Sequence, residues 1–188
     1  MSRAIYIATG EAESGKSIIT LGLMRILLGR TRKVGYFRPI IEVPDKSKKD
    51  NHIETVLSHF DLEMTYEDCY ALTGAEVIHK KTTGQEGDIL DIIIKKYREL
   101  EDRFDFILVE GTDFSGEAVF VELDVNAIIA KNLGIPVILV GTGKDKNLEE
   151  LVTNLHLAYD SFLDKEVKVL GIVANKVEES QTEAVARE

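Results

Sequence analysis

The sequence predicts an α/β protein of three layers, with helices on both faces of a mostly parallel sheet. Two observations carry this expectation. Five short runs rich in β-branched residues are apolar on both faces, as the central strands of a parallel sheet are: Ala4–Ala8, Val34–Phe37, Phe106–Val109, Val137–Val140 and Val169–Ala174. Between them lie segments whose apolar residues recur at helical spacing. Strand alternating with helix means βαβ units joined by right-handed crossovers.

Each element has its own signal. Ile18, Leu21, Met24, Ile26 and Leu28 predict the first helix directly after the strand Ala4–Ala8. Residues His52–Phe60 read as a short helix, after a polar stretch Glu42–Asn51 that reads as an exposed loop with a basic run at Lys46-Ser47-Lys48-Lys49. Thr82–Gly87, with two glycines, reads as another loop. Ile89, Ile92, Ile93, Tyr97 and Leu100 predict the helix before the strand Phe106–Val109. Val125, Ile128, Ile129 and Leu133 predict a helix capped by Gly134, and Ile135-Pro136 then opens the next strand. Leu148, Leu151, Val152, Leu155 and Leu163 predict a last long helix before Val169–Ala174. Residues 1–177 read as one domain, and the polar tail 178–188 has no closing apolar element.

Composition narrows the function classes. The 188 residues are 44% hydrophobic and 30% charged, enough to bury a sizeable core and too apolar for disorder. Lys+Arg 23 against Asp+Glu 33 gives a net charge of -10, whose mean field opposes nucleic acid and anionic membrane surfaces. A small anion remains possible at a local site. Cys69 is the only cysteine, which excludes an intramolecular disulfide and a cysteine metal cluster, and a reducing, cytoplasmic setting is expected. No window approaches the roughly 18 consecutive apolar residues of a membrane span.

Gly10-Glu11-Ala12-Glu13-Ser14-Gly15-Lys16-Ser17 fits the phosphate-loop pattern G-x-x-x-x-G-K-[ST], between a predicted strand and a predicted helix. The glycines let backbone N–H groups turn inward onto phosphate oxygens, and the helix N-terminus adds its partial positive charge. Lys16 is placed to reach the β- and γ-phosphates, and the Ser17 hydroxyl to coordinate Mg²⁺. The expectation is a P-loop NTPase-like fold; the alternative is a plain strand-to-helix turn capped by Ser14 or Ser17. Glu11 and Glu13 inside the loop oppose phosphate unless they point outward.

A nucleotide-bound Mg²⁺ commonly takes a further ligand from a neighbouring strand end. Glu110 ends the strand Phe106–Val109 at the C-terminal edge of the sheet, where open α/β sheets bind ligands. Asp113 is a weaker candidate for that task. Asp50 is a possible further Mg²⁺ ligand or simply one charge in a charged loop. Asn175-Lys176, after the last strand, suits a purine, with the Asn offering donor and acceptor and the Lys stem packing on the ring; a turn with a solvated Lys is the alternative. Arg38, before Pro39, suits a phosphate or an anionic second substrate. His52, His59, His79 and His156 have no metal-ligand spacing among themselves.

Several blocks together resemble a known family. Met1-Ser2-Arg3, Ile5-Tyr6-Ile7-Ala8-Thr9-Gly10 and Leu21-Gly22-Leu23-Met24-Arg25 are similar to the start of the amino-terminal domain of long-form bacterial phosphate acetyltransferases. Tyr36-Phe37-Arg38-Pro39-Ile40, Leu108-Val109-Glu110-Gly111, Leu123-Asp124-Val125-Asn126, Ile129-Ala130-Lys131-Asn132-Leu133 and Gly171-Ile172-Val173-Ala174-Asn175-Lys176 resemble its later blocks. That domain is itself similar to dethiobiotin synthetase, an ATP- and Mg²⁺-dependent ligase. The resemblance implies Lys16 and Ser17 at phosphate and magnesium, Glu110 and Asp50 near the metal, and Asn175 near a purine. It departs from the synthetase at Arg38, where that family has Lys, and at Thr112-Asp113-Phe114, where it has small residues.

Three functions follow as expectations. The first is a nucleotide-binding regulatory domain of a phosphate acetyltransferase, whose acetyl transfer between coenzyme A and phosphate lies in a separate carboxy-terminal domain of the same polypeptide. The second is a dethiobiotin synthetase-type ligase. The third is a degenerate P-loop domain serving homo-oligomer assembly. The expected cofactors are ATP or a related nucleotide and Mg²⁺, with coenzyme A confined to the carboxy-terminal domain.

Overall fold

The computed structural model describes residues 3–187 apart from 12, 32, 44–47 and 113–118, and the side chains of 119–122 are also outside the description. Asp113, Phe114, the Lys46-Ser47 half of the basic run and the Met1-Ser2 start therefore lie outside the described residues.

In chain order the elements are β1 (Ala4–Ala8), α1 (Lys16–Leu28), β2 (Val34–Ile41), α2 (Asn51–His59), a 3-10 turn (Tyr66–Cys69) and β3 (Tyr70–Thr73). Then come α3 (Gly74–Thr82), α4 (Gly87–Glu101), β4 (Phe106–Glu110), α5 (Val119–Leu133), β5 (Val137–Thr142), α6 (Leu148–Leu163) and β6 (Val169–Asn175). A second 3-10 turn (Glu179–Gln181) and α7 (Thr182–Val185) follow, so the polar tail is partly helical. The six strands form one sheet in the order β3-β2-β4-β1-β5-β6, and all five neighbouring pairs are parallel. The chain leaves β1 toward β2 and β3 on one side and returns through β4 to β5 and β6 on the other. The C-terminal end of β1 is therefore a switch point, the place where such sheets take ligands.

Two cores make the outer layers. Ala4, Tyr6 and Ala8 of β1 enter the core covered by α3, α4, α5 and α6, with Tyr97 and Phe162 as its large side chains. Ile7, the alternate residue, enters the core covered by α1 and α2 with Met24, Ile53 and Val56. Burial of one such large side chain contributes about 2 kcal/mol. Capping residues set several helix starts. Asp50 caps α2, and reciprocal capping boxes start α3 (Thr73, Glu76) and α6 (Asn147, Glu150). Gly134, in the left-handed region at φ 68, follows α5 as its sequence position predicts.

Four sequence expectations change. Val169–Ala174, read as a central strand, is β6 at the sheet edge, with Leu170 and Ile172 exposed. β3 is a strand that no apolar run announces: its four residues sit at an edge and three are only half-buried. β2 runs on to Ile41 instead of ending at Phe37, because it changes partners beside Pro39, which has no N–H to give. It pairs with β4 over Val34–Phe37 and with β3 from Arg38. The stretch 42–51 is not exposed throughout, since Asp50 is only 5% exposed and opens α2.

The turn before β3 is tied to the end of α4. Arg103 grips both carboxylate oxygens of Asp68, at 2.8 and 3.1 Å, and the Asp68 Oδ2 also accepts from the Thr65 N–H at 2.9 Å. The Arg103 bond leads these effects, and the Asp68 carboxyl is held down at about 2. Neighbouring Cys69 is buried; burial, with the Asp68 carboxylate beside it, pushes its thiol up to about 12, so it packs as a small apolar group. A depressed carboxyl contributes stability above its unfolded pKa and loses it as pH falls through the folded value. Asp68→Asn is expected to lower stability by about 1 kcal/mol at neutral pH. The variant should also lose the part of the wild-type stability decline between pH 3.8 and about 2 that Asp68 supplies, read by urea unfolding across that window.

Candidate functional site

The Gly10–Ser17 loop joins β1 to α1 in the arrangement the motif requires. Gly15 lies at φ 84, and a Cβ there would come within 2.2 Å of the Asn175 amide nitrogen, so both its conformation and its surroundings demand glycine. Ser14 and Lys16 are buried. The Lys16 ammonium crosses to the end of β4, where it donates to the Gly111 carbonyl at 2.5 Å.

The two acids of the loop point outward. Glu11 is paired with Lys146, which also donates to the Thr142 carbonyl at 3.1 Å, and Glu13 is paired with Lys144 at 3.2 Å. Both lysines come from the segment between β5 and α6, so the acids anchor the loop's outer side and leave its inner side to the backbone. On the other flank the Asn175 amide donates to the Ser14 carbonyl at 2.8 Å, and the Lys176 ammonium to the Glu13 carbonyl at 2.6 Å. The pair expected at a purine is thus turned onto the loop backbone and braces it. Lys176 is itself in the left-handed region at φ 53, which folds the chain after β6 back toward the loop.

Beneath the loop lies a buried ionic cluster centred on Glu110, which is 0% exposed. Its Oε2 accepts from the Tyr36 hydroxyl at 2.9 Å, and its Oε1 faces His52 Nδ1 at 2.6 Å and Arg38 at 3.7 Å. Burial alone pushes such a carboxyl up. The His52 bond and the Arg38 and Lys16 charges outweigh it and hold Glu110 at about 2. An ionised carboxylate only accepts, so the proton between the two residues belongs to His52. The same His52 nitrogen lies 2.9 Å from the Ser17 hydroxyl. Burial, followed by the Glu110 charge, pushes the Tyr36 phenol well above its usual range.

Arg38 is not directed at an outside anion. It is buried and bonded to Asp50 Oδ1 at 3.2 Å. That oxygen also accepts the His52 and Ile53 N–H groups at 3.0 Å each, as the cap of α2. Asp50 is therefore engaged with the helix start and Arg38, while His52, two residues on, stands between Ser17 and Glu110. The spacing of histidines among themselves gives no sign of this, because both partners of His52 come from distant segments. Nor does the sequence reveal Asn126. Its Oδ1 accepts from the Thr112 N–H at 3.0 Å and the Tyr6 hydroxyl at 2.6 Å, and its amide donates to the Thr112 carbonyl at 3.1 Å. Thr112 in turn donates to the Ile40 carbonyl at 2.9 Å, so the turn carrying Gly111 is fixed to its neighbours.

The donor set fits a hydrated divalent cation bound together with phosphate. A hydroxyl and an ionised carboxylate converge at the inner mouth of an anion-binding loop, and one proton-bearing nitrogen now spans them. Among the described residues, no three His, Cys, Asp or Glu side chains are grouped to hold an ion unaided. Phosphate oxygens would have to complete its shell.

Comparison with known proteins agrees with this architecture. The AAA_26 family model, an AAA domain, matches residues 3–188. The phosphate acetyltransferase of Nitratidesulfovibrio vulgaris is 41% identical over 183 residues, covering 97% of this chain and 26% of that protein. The chain thus spans about a quarter of that relative's length. The ATP-dependent dethiobiotin synthetase BioD of Clostridium perfringens is 28% identical over 193 residues, covering 96% of this chain and 81% of the enzyme. Among solved structures, a GTPase from Pyrococcus abyssi superimposes with a TM-score of 0.58 at 14% identity, over 98% of this chain and 72% of that one, which speaks for the fold. No helix among the described residues is long and apolar enough to cross a membrane. A six-stranded parallel sheet with a phosphate loop at its switch point, matched from residue 3 onward, places the chain in the AAA_26 family of dethiobiotin synthetase-like P-loop domains.

Proposed function

We propose that this chain binds ATP with a divalent cation at the end of β1 and serves as a regulatory domain of a larger phosphate acetyltransferase. The observation that carries the nucleotide reading is the Gly10–Ser17 loop between β1 and α1, whose acids and flanks are held by side chains from other segments. Its acids are neutralised by Lys144 and Lys146, and its backbone is braced by Asn175 and Lys176. The loop N–H groups and the start of α1 would receive the phosphates. Lys16 would leave the Gly111 carbonyl for the β- and γ-phosphates, and Ser17 with Glu110 would hold Mg²⁺. A bound Mg²⁺ would neutralise phosphate charge. In this reading Asn175 and Lys176 shape the loop, and Asp50 and Arg38 fix α2 and Glu110 in place.

The acetyltransferase setting rests on the 41% identity to the N. vulgaris enzyme, against 28% to the dethiobiotin synthetase. The synthetase reading has in its favour that the chain spans 81% of that enzyme. Against it stands Arg38, which is closed into an internal ion pair where a ligase would need a cation facing its substrate.

Calorimetry of the chain with ATP and MgCl₂ tests the nucleotide reading. Saturable binding below millimolar ATP is expected, with Lys16→Ala weakening it about ten- to hundredfold, the loss of one charge-assisted hydrogen bond. No binding at millimolar ATP, or equal binding by the variant, would contradict it and leave the assembly function. A second prediction concerns chemistry. The chain alone is expected to form no acetyl phosphate from acetyl-CoA and phosphate, measured by release of free coenzyme A; turnover above the buffer blank would overturn the regulatory assignment.

A further inference from the structure

His52 has no place in the functions proposed above, yet it occupies the centre of the candidate cation site. Its Nδ1 lies 2.9 Å from the Ser17 hydroxyl and 2.6 Å from Glu110 Oε1. Adjacent ligands on an octahedral ion with oxygen distances near 2.1 Å stand about 3 Å apart. His52 Nδ1 therefore stands from each of the two oxygens at nearly the spacing of a neighbour in one coordination shell.

Among the described residues, two of the nearby carboxylate oxygens are already engaged. Asp50 Oδ1 takes two N–H bonds and the Arg38 guanidinium. Glu110 Oε2 takes the Tyr36 hydroxyl. The ring is not sealed in, for the His52 side chain is 29% exposed. It borders a cavity of about 190 Å³ that is also lined by Ser17, Asn51, Thr55 and Glu110. An ion can approach from that side and take the place of the proton that now lies between Nδ1 and Glu110.

We infer that His52 is a nitrogen ligand of the nucleotide-linked cation, together with Ser17, Glu110 and phosphate oxygens, and that it biases the site toward Mn²⁺ or Co²⁺ over Mg²⁺. Imidazole suits first-row transition ions, whereas Mg²⁺ takes oxygen ligands and releases its water reluctantly. This inference rests on the nucleotide reading above.

The test uses the chain with β,γ-methylene ATP, which has no nitrogen near the ion, in Mn²⁺ and in Mg²⁺. Calorimetry should give an affinity at least about tenfold higher with Mn²⁺. His52→Ala should bring the ratio close to one, and His52→Asp should favour Mg²⁺ relative to wild type. Electron spin-echo spectra of the bound Mn²⁺ should carry ¹⁴N modulation in the wild type that is absent from His52→Ala. Bound Mn²⁺·nucleotide without ¹⁴N modulation, or a ratio unchanged in His52→Ala, overturns the inference while leaving nucleotide binding intact. Tighter binding of both complexes by His52→Ala also overturns it, since His52 would then merely block the site. Failure of the wild type to bind nucleotide with either ion overturns this inference and the nucleotide reading together.

Discussion

A carboxylate with no exposure to water organises this end of the molecule. Glu110 closes β4 at the centre of the sheet, where an unpaired charge would be strongly unfavourable, and removing one partner of such a pair typically costs about 3–5 kcal/mol. Its partners come from three other elements: Tyr36 and Arg38 from β2, His52 from α2, and Lys16 from the start of α1 as a nearby charge. Each is positioned by something else in turn. Arg38 is steered by Asp50, Asp50 is fixed as the cap of α2, and that cap presents His52 in the first turn of the helix. The charge of one residue thus sets the register of two helices against the sheet edge where a ligand would sit.

The same economy explains how an acidic protein can maintain an anion site. The net charge of -10 is spread over the surface, and the two acids nearest the loop are matched by Lys144 and Lys146. What faces inward is backbone, a helix start and one ammonium. Local geometry outweighs mean field because the distant charges are screened over about 10 Å in ordinary salt.

Much of the architecture is legible in the sequence because central parallel strands are apolar on both faces, so β1, β4 and β5 stand out as unbroken runs; β6 carries the same kind of run yet lies at the other edge, with Leu170 and Ile172 exposed. β3 escapes for the converse reason: an edge strand of Tyr, Ala, Leu and Thr, half in water, carries no such signal. The continuation of β2 is hidden by Pro39, which reads as a strand end until one sees that the pairing partner changes there. At the site, the loop is legible as contiguous residues. Glu110 is legible as an acid at a strand end. His52 and Asn126 are not, because their roles exist only once α2 and α5 are packed beside β4, 58 and 14 residues from the groups they touch. Asp50 and Asn175 carry the right chemistry for the roles first expected of them, yet folding turns both onto the protein's own backbone.

On the nucleotide reading, Glu110 links cation to nucleotide. ATP affinity measured with Mg²⁺ and with EDTA, in wild type and in Glu110→Gln, tests it most directly. Mg²⁺ is expected to tighten ATP binding in the wild type by tenfold or more and to add less than about threefold in the variant. An equal Mg²⁺ enhancement in both proteins would remove Glu110 from the cation's shell.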